Sequence, residues 1–124
     1  MISLSSATRI FIVTGATDMR KSFNGLYGIV AHRLHENPMS GHVFVFCNAS
    51  RNRIKLLLWD GSGLWVCAKR LERGRFSWEW SAEDTSALVT HEYLSLLLGG
   101  IDLKDARNKR WLRISPGGEK DRNK

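Results

Sequence analysis

The chain has 124 residues, with 19 lysines and arginines against 12 aspartates and glutamates, and so a net charge of +7. This length is typical of one compact domain and excludes an enzyme with a separate substrate lobe. A hydrophobic content of 43% excludes a wholly disordered chain. No run approaches the roughly 20 apolar residues of a membrane span, and the first residues lack a secretory pattern. We therefore expect a cytoplasmic protein with no membrane partner.

The positive charge is unevenly distributed along the chain. Residues 51–75 carry a net charge of +5, residues 76–102 a net charge of −5, and residues 103–124 again +5. Segregation of this kind predicts a basic surface that meets a polyanion and an acidic surface that faces elsewhere.

The first half of the chain predicts a strand, a helix and a second strand. Residues 9–14 are β-branched and aromatic, which is typical of a short strand. Thr17 or Asp18 suits a helix N-cap, and apolar residues then recur every three or four positions, which predicts a helix over about 18–36. The apolar run at 43–47 predicts a buried strand.

The second half predicts a hairpin and a short final helix. Strands at 54–59 and 64–71 are separated by a glycine-rich turn at 60–63, and Gly74 makes a further turn before residues 75–78. Thr90 suits the N-cap of a helix over 90–98. The predicted fold class is therefore α+β, an antiparallel meander sheet of about four to five strands with the two helices packed on it. We expect a single domain over 1–114, followed by a flexible basic tail over 115–124.

The sequence offers little for catalysis. Its carboxylates fall on different predicted elements, whereas metal-dependent nucleic-acid enzymes need two or three convergent ones. Cys47 and Cys67 lie in apolar strand runs, where cysteine usually acts as a small buried hydrophobe. There is no phosphate-binding loop and no nucleophile elbow. We expect no enzyme activity, no metal and no cofactor.

Nucleic-acid binding has more support, because four cations and two aromatic residues surround Gly74 between residues 69 and 78. The 48–53 and 72–75 turns can fall at the same end of a meander. We expect Trp59 or Trp65 in the core and keep Trp78 as the residue that stacks on bases. The alternative for each cation is an ordinary solvated surface charge. The candidate nucleic-acid-binding residues are Arg20, Lys21, Arg51, Arg53, Lys55, Lys69, Arg70, Arg73, Arg75 and Trp78.

Five segments in this order resemble a known family, the TnpB-type accessory protein encoded by the second open reading frame of insertion sequence 66 elements. The resemblance covers roughly residues 5–113. The segments are Thr17-Asp-Met-Arg-Lys-Ser-Phe-Asn-Gly-Leu26, Ser40-Gly-His-Val-Phe-Val-Phe46, Asn52-Arg-Ile-Lys-Leu-Leu-Leu-Trp-Asp-Gly61, Lys69-Arg-Leu-Glu-Arg-Gly-Arg-Phe76 and Leu97-Leu-Gly-Gly-Ile-Asp102.

The resemblance implies a role in transposition, in which a separate and longer protein is the catalytic transposase. The implied partners are that transposase, the other small protein of the element, and DNA at the element ends or target. The family has no established catalytic residues to carry over, and Ser22 stands where its members commonly have a glycine or another small residue. DNA contact by the basic residues is a hypothesis that rests on charge. The alternatives are a protein-interaction subunit that does not touch DNA and a small metal-dependent nuclease. The recurrent basic positions of the family correspond to Arg20, Lys21, Arg53, Lys55, Lys69, Arg70 and Arg73.

Overall fold

The computed structural model describes residues 4–78, 80, 85–101 and 113–114, the last two by their backbone only. The strands are β1 (Ile10–Val13), β2 (Val43–Cys47), β3 (Arg53–Trp59), β4 (Leu64–Arg70), β5 (Ser86–Val89) and β6 (Arg113–Ile114). The helices are α1 (Phe23–Gly28), which continues as a π-helical turn over Ile29–Arg33, and α2 (His91–Leu98).

The six strands form one sheet in the order β4-β3-β2-β1-β5-β6. The pairs β2–β3 and β3–β4 are antiparallel, as the predicted meander requires. The α+β class and the mostly antiparallel sheet are therefore confirmed. One pair differs from the prediction, because β1 and β2 are parallel. A parallel pair needs a long crossover connection, and α1 provides it here.

Helices cover both faces of the sheet, which divides the core into two clusters. On one face, Leu26 and Val30 of the first helical segment pack against Phe44 and Phe46 of β2. On the other face, α2 packs against alternate residues of β1 and β2, together with Phe76, Trp78 and Trp80. β2 is buried along its whole length because it contributes side chains to both clusters.

The first helix is shorter than predicted, since it begins at Phe23 and not near residue 18. The Lys55 ammonium donates to the carbonyl oxygens of Met19 at 2.9 Å and Lys21 at 2.7 Å. A helix that began at residue 18 would use those two oxygens to accept from the N–H groups of residues 23 and 25. Arg20 and Lys21 consequently lie in a loop before α1, and their predicted position in its first turn is wrong.

The second helix matches its prediction closely. Thr90 is the N-cap, and its Oγ1 accepts a hydrogen bond from the backbone N–H of Tyr93 at 3.1 Å. The helix buries Tyr93, Leu94 and Leu97 and ends at Leu98. Residues 75–78, which follow the predicted turn at Gly74, form no strand.

Two further strands, β5 and β6, were not predicted. β6 pairs with β5 and lies at the end of the predicted domain. The predicted tail at 115–124 lies outside the described residues.

Candidate nucleic-acid interface

The loops at one end of the sheet lie next to one another. We call this region the basic end, and it comprises loop 16–22, loop 48–52, turn 71–76 and the adjoining ends of β3 and β4. These segments hold all nine of the predicted nucleic-acid-binding cations, which are Arg20, Lys21, Arg51, Arg53, Lys55, Lys69, Arg70, Arg73 and Arg75. The expectation that the 48–53 and 72–75 turns share one end of the meander is therefore confirmed.

Loop 16–22 is fixed to the sheet at two points. Near its start, the backbone N–H of Thr17 donates to the carbonyl oxygen of Cys47 at the end of β2, at 2.8 Å. Further along, the loop is held by the two hydrogen bonds from Lys55. The positions of Arg20 and Lys21 therefore depend on the sheet.

Loop 48–52 is shaped by the side chain of Asn48. Its Oδ1 accepts hydrogen bonds from the backbone N–H groups of Asn52 and Arg53, both at 3.0 Å. Arg51 has a φ of 61°, in the left-handed region that a non-glycine residue seldom adopts. The asparagine thus closes a tight turn that leaves Arg51 and Arg53 exposed.

Turn 71–76 lies directly against loop 48–52. The backbone N–H of Leu71 donates to the Asn52 carbonyl oxygen at 2.8 Å, and that of Phe76 donates to the Arg51 carbonyl oxygen at 2.6 Å. These bonds bring the exposed residues Arg73 and Arg75 beside loop 48–52.

Two open clefts cross the basic end, and Met19 and Arg53 line both of them. The first, of about 440 Å³, lies between loop 16–22 and loop 48–52. The second, of about 410 Å³, lies over the ends of β3 and β4, where it is lined by Lys55, Lys69 and Arg70.

Like charges face each other at this end of the sheet. Arg53 and Arg70 are directly opposite across β3 and β4, a placement that disfavours the sheet unless an anion compensates it. Arg70 pairs with Glu72, because its Nε donates to a carboxylate oxygen of that residue at 3.0 Å. Arg20 donates to both carboxylate oxygens of Asp18, and these hydrogen bonds lower the pKa of Asp18 to about 2. The basic end therefore keeps a positive balance in its described residues.

Residues 8–108 match the family described as IS66 Orf2 like protein. The chain belongs to the IS66 Orf2-like family. It is 41% identical over 102 residues to the uncharacterized protein y4hO of Sinorhizobium fredii (strain NBRC 101917 / NGR234), a match that covers 82% of this chain and 88% of that protein. It is 34% identical over 109 residues to the uncharacterized protein y4jC of the same strain, with 88% and 92% covered. No solved structure matches the chain.

Membership of the IS66 Orf2-like family makes this chain an accessory protein of an insertion sequence, associated with the transposition machinery of that element. The family is not known to be catalytic. The resemblance drawn from the five sequence segments is thereby confirmed.

Two lysines of this IS66 Orf2-like protein have structural partners. Lys55 holds loop 16–22, as described above. Lys69 donates through Nζ to the carbonyl oxygen of Leu98 at 2.6 Å. Its positive charge compensates the partial negative charge at the C-terminal end of α2. Their predicted contact with DNA stays a prediction, and both ammonium groups also stabilise the fold.

The aromatic residues are placed differently from the prediction. Trp78 is only 4% exposed and its Nε1 donates to the carbonyl oxygen of Gly15 at 3.2 Å, so its indole presents no free face for stacking. Trp65, which was one of two candidates for the core, is 47% exposed, and its Nε1 donates to Asp60 at 2.6 Å.

Phe23 is also 47% exposed. It is the first residue of α1, and the residues of this helix that pack on the sheet come later in it. Phe23 follows Lys21 closely and is the aromatic residue near the basic end that the helical spacing concealed.

The other groups capable of chemistry form no cluster among the described residues. Burial raises the pKa of the Cys47 thiol to about 12, which suits a core residue. Among the described residues, no three histidine, cysteine, aspartate or glutamate side chains are grouped so that they could hold a metal ion.

Neither described helix combines the length and the apolar character that a bilayer crossing needs. Of the carboxylates in the predicted acidic segment, Glu92 is exposed on α2, and the others lie outside the described residues.

Proposed function

We propose that this IS66 Orf2-like protein is a non-catalytic factor that binds DNA through its basic end and assists a separate catalytic transposase. The observation that carries the proposal is the convergence of nine cations, from segments far apart in the chain, at one end of the sheet. Lysines and arginines that neutralise phosphates provide most of the affinity of a protein for DNA without sequence preference.

The arrangement of the arginines supports the proposal further. Loop 48–52 and turn 71–76 are held together by backbone hydrogen bonds, so the positions of Arg51, Arg53, Arg73 and Arg75 are set before DNA arrives. Guanidinium groups suit phosphate because their planar N–H forks match its oxygens. The proposed ligand is therefore the DNA backbone at the element ends or target.

The proposed protein partners are the transposase and the other small protein of the same element. α2 lies on the face of the sheet opposite α1 and presents Glu92 to solvent, so it can contact a protein while the basic end holds DNA. We place the protein in the cytoplasm, where such a complex meets the chromosome.

A protein-interaction subunit without DNA contact is the second candidate. β4 is the last strand on its side of the described sheet, and Trp65 on it is exposed. Edge strands pair readily with other chains, and exposed tryptophans are enriched at interfaces. A metal-dependent nuclease, the third alternative from the sequence, has no comparable support in the described residues.

The salt dependence of DNA binding distinguishes the first two candidates. We expect this protein to bind a fluorescent duplex at about 50 mM salt and to lose roughly 100-fold in affinity by about 200 mM, which corresponds to about four phosphate contacts. Fluorescence anisotropy measures both affinities. An absence of binding at the lower salt concentration contradicts the DNA-binding proposal and favours the protein-interaction subunit.

A further inference from the structure

The hydroxyl group of Thr17 is a buried polar group at the basic end that has no hydrogen-bond partner among the described residues. The residue is 5% exposed, and its Oγ1 makes no hydrogen bond within the part of the chain that the structure describes. Its backbone is held by the hydrogen bond to Cys47, so the residue cannot move away from this position freely. Because a buried hydroxyl without a partner costs free energy, a group that hydrogen-bonds to it would recover that free energy.

Thr17 also lines the 440 Å³ cleft between loop 16–22 and loop 48–52. Arg20 and Arg53 line the same cleft, one from each side of it. The Asp18 carboxylate, which lines the cleft as well, occupies Nε and Nη2 of Arg20 and leaves the two N–H donors of Nη1 for a ligand. The cleft thus brings together two guanidinium groups and one hydroxyl.

This donor set fits a phosphate group. A phosphate diester offers two non-bridging oxygens that share one negative charge, together with further acceptor oxygens, and two arginines and a hydroxyl can bind these from different directions. A rotation of about 120° about the Cα–Cβ bond of threonine moves the hydroxyl to the position that the methyl group held, and the methyl group to the position that the hydrogen held. The Thr17 hydroxyl can therefore turn toward the cleft when an acceptor arrives, without movement of the backbone.

We propose that this cleft is a specific subsite for one phosphate group of the nucleic-acid backbone, held by Arg20, Arg53 and the hydroxyl of Thr17. The inference rests on the proposed function, because it names the point at which the basic end grips the DNA backbone. The same chemistry would bind free inorganic phosphate, and the experiment below separates the two sources.

The test compares Thr17→Val with Thr17→Ser. Valine has nearly the shape of threonine but no hydroxyl, so Thr17→Val should bind duplex DNA about tenfold more weakly, whereas Thr17→Ser should retain the affinity. The salt dependence of Thr17→Val should equal that of the unmodified protein, because no cation is lost. Its melting temperature should be unchanged or higher, since a buried unpaired hydroxyl is removed. That combination separates a phosphate ligand from a structural role.

A second measurement keeps the subsite testable if DNA binding itself fails. Inorganic phosphate is titrated into the full chain, with sodium chloride at equal ionic strength as the control, and amide chemical shifts are followed by NMR. We expect phosphate-specific shifts in residues 16–20 and 48–53, and none in Thr17→Val at the same concentrations.

The outcomes are distinct. Equal DNA affinities of Thr17→Val and the unmodified protein overturn the subsite and leave the DNA-binding proposal intact. An absence of DNA binding with phosphate-specific shifts overturns the DNA-binding proposal and supports a phosphate site for a free ligand. An absence of both DNA binding and shifts overturns both proposals.

Discussion

Replacement of Arg53 by glutamate is expected to weaken duplex DNA binding by about 100-fold and to leave the fold at least as stable. The affinity falls because a phosphate contact worth roughly 2–3 kcal/mol is lost and replaced by repulsion. The fold is preserved because the residue lies directly opposite Arg70 across β3 and β4, so Arg53→Glu converts a like-charge pair into an attractive one. Anisotropy titrations and thermal melts of the same preparations measure the two quantities.

Arg9→Glu provides the matched control. Arg9 immediately precedes β1 at the opposite end of the sheet, and its reversal changes the net charge of the protein by the same two units. We expect Arg9→Glu to weaken binding by less than about threefold, because exposed charges beyond a Debye length of about 10 Å are largely screened. Equal losses in the two variants would show that net charge, and not the basic end, governs binding.

Replacement of Lys55 by methionine is expected to lower the free energy of unfolding by about 2 kcal/mol. The Lys55 ammonium makes two short hydrogen bonds, to the carbonyl oxygens of Met19 and Lys21. Hydrogen bonds of charged groups contribute roughly 1.5–3 kcal/mol each, and partial solvent access at this site reduces their sum. Methionine keeps the apolar length of the side chain and removes the donor, so the loss reports on the two bonds. Urea denaturation measures it.

Lys21→Met is the control for this variant. Its side chain lies in the loop that Lys55 holds, but it is exposed, so its replacement should change the unfolding free energy by less than about 0.5 kcal/mol. We also expect Lys55→Met to weaken DNA binding, because loop 16–22 would no longer be held beside loop 48–52. Equal stability of the two variants would mean that Lys55 does not anchor the loop.

Much of the fold follows from local sequence signals. The hairpin of β3 and β4 was predictable because Asp60 and the glycines of the 60–63 turn specify it. The Asp60 Oδ1 accepts from the N–H groups of Ser62 and Gly63, both at 2.9 Å. α2 was predictable for the same kind of reason, because the Thr90 cap and the first apolar positions lie within one turn of each other.

Other features depend on contacts that the chain makes over a long distance. The start of α1 is set by Lys55, more than thirty residues away. No sequence pattern near residue 18 reveals that backbone carbonyl oxygens there accept hydrogen bonds from this lysine. The parallel pairing of β1 with β2 depends on the position at which the chain rejoins the sheet after the connection through α1. Trp78 is buried because it packs with Phe76 and Trp80 on one face of the sheet.

The candidate site was predictable in its charge but not in its detail. The blocks of basic residues and the turn positions sufficed to place Arg51, Arg53, Arg73 and Arg75 together. The cleft that contains Thr17 could not be predicted, because threonine at the start of a presumed helix suggests a cap and not a buried hydroxyl. Phe23 was concealed by its helical spacing, because it fits the apolar pattern but is the first residue of α1 and stays exposed.

Hydrogen–deuterium exchange of the full chain, with and without saturating duplex DNA, tests whether the basic end is the surface that binds DNA. We expect slower exchange in loop 16–22, loop 48–52 and turn 71–76 when DNA is bound, and no change in the 60–63 turn at the far end of the same strands. Protection confined to α2 or to the 60–63 turn, with the three segments of the basic end unaffected, would mean that DNA does not bind at the basic end.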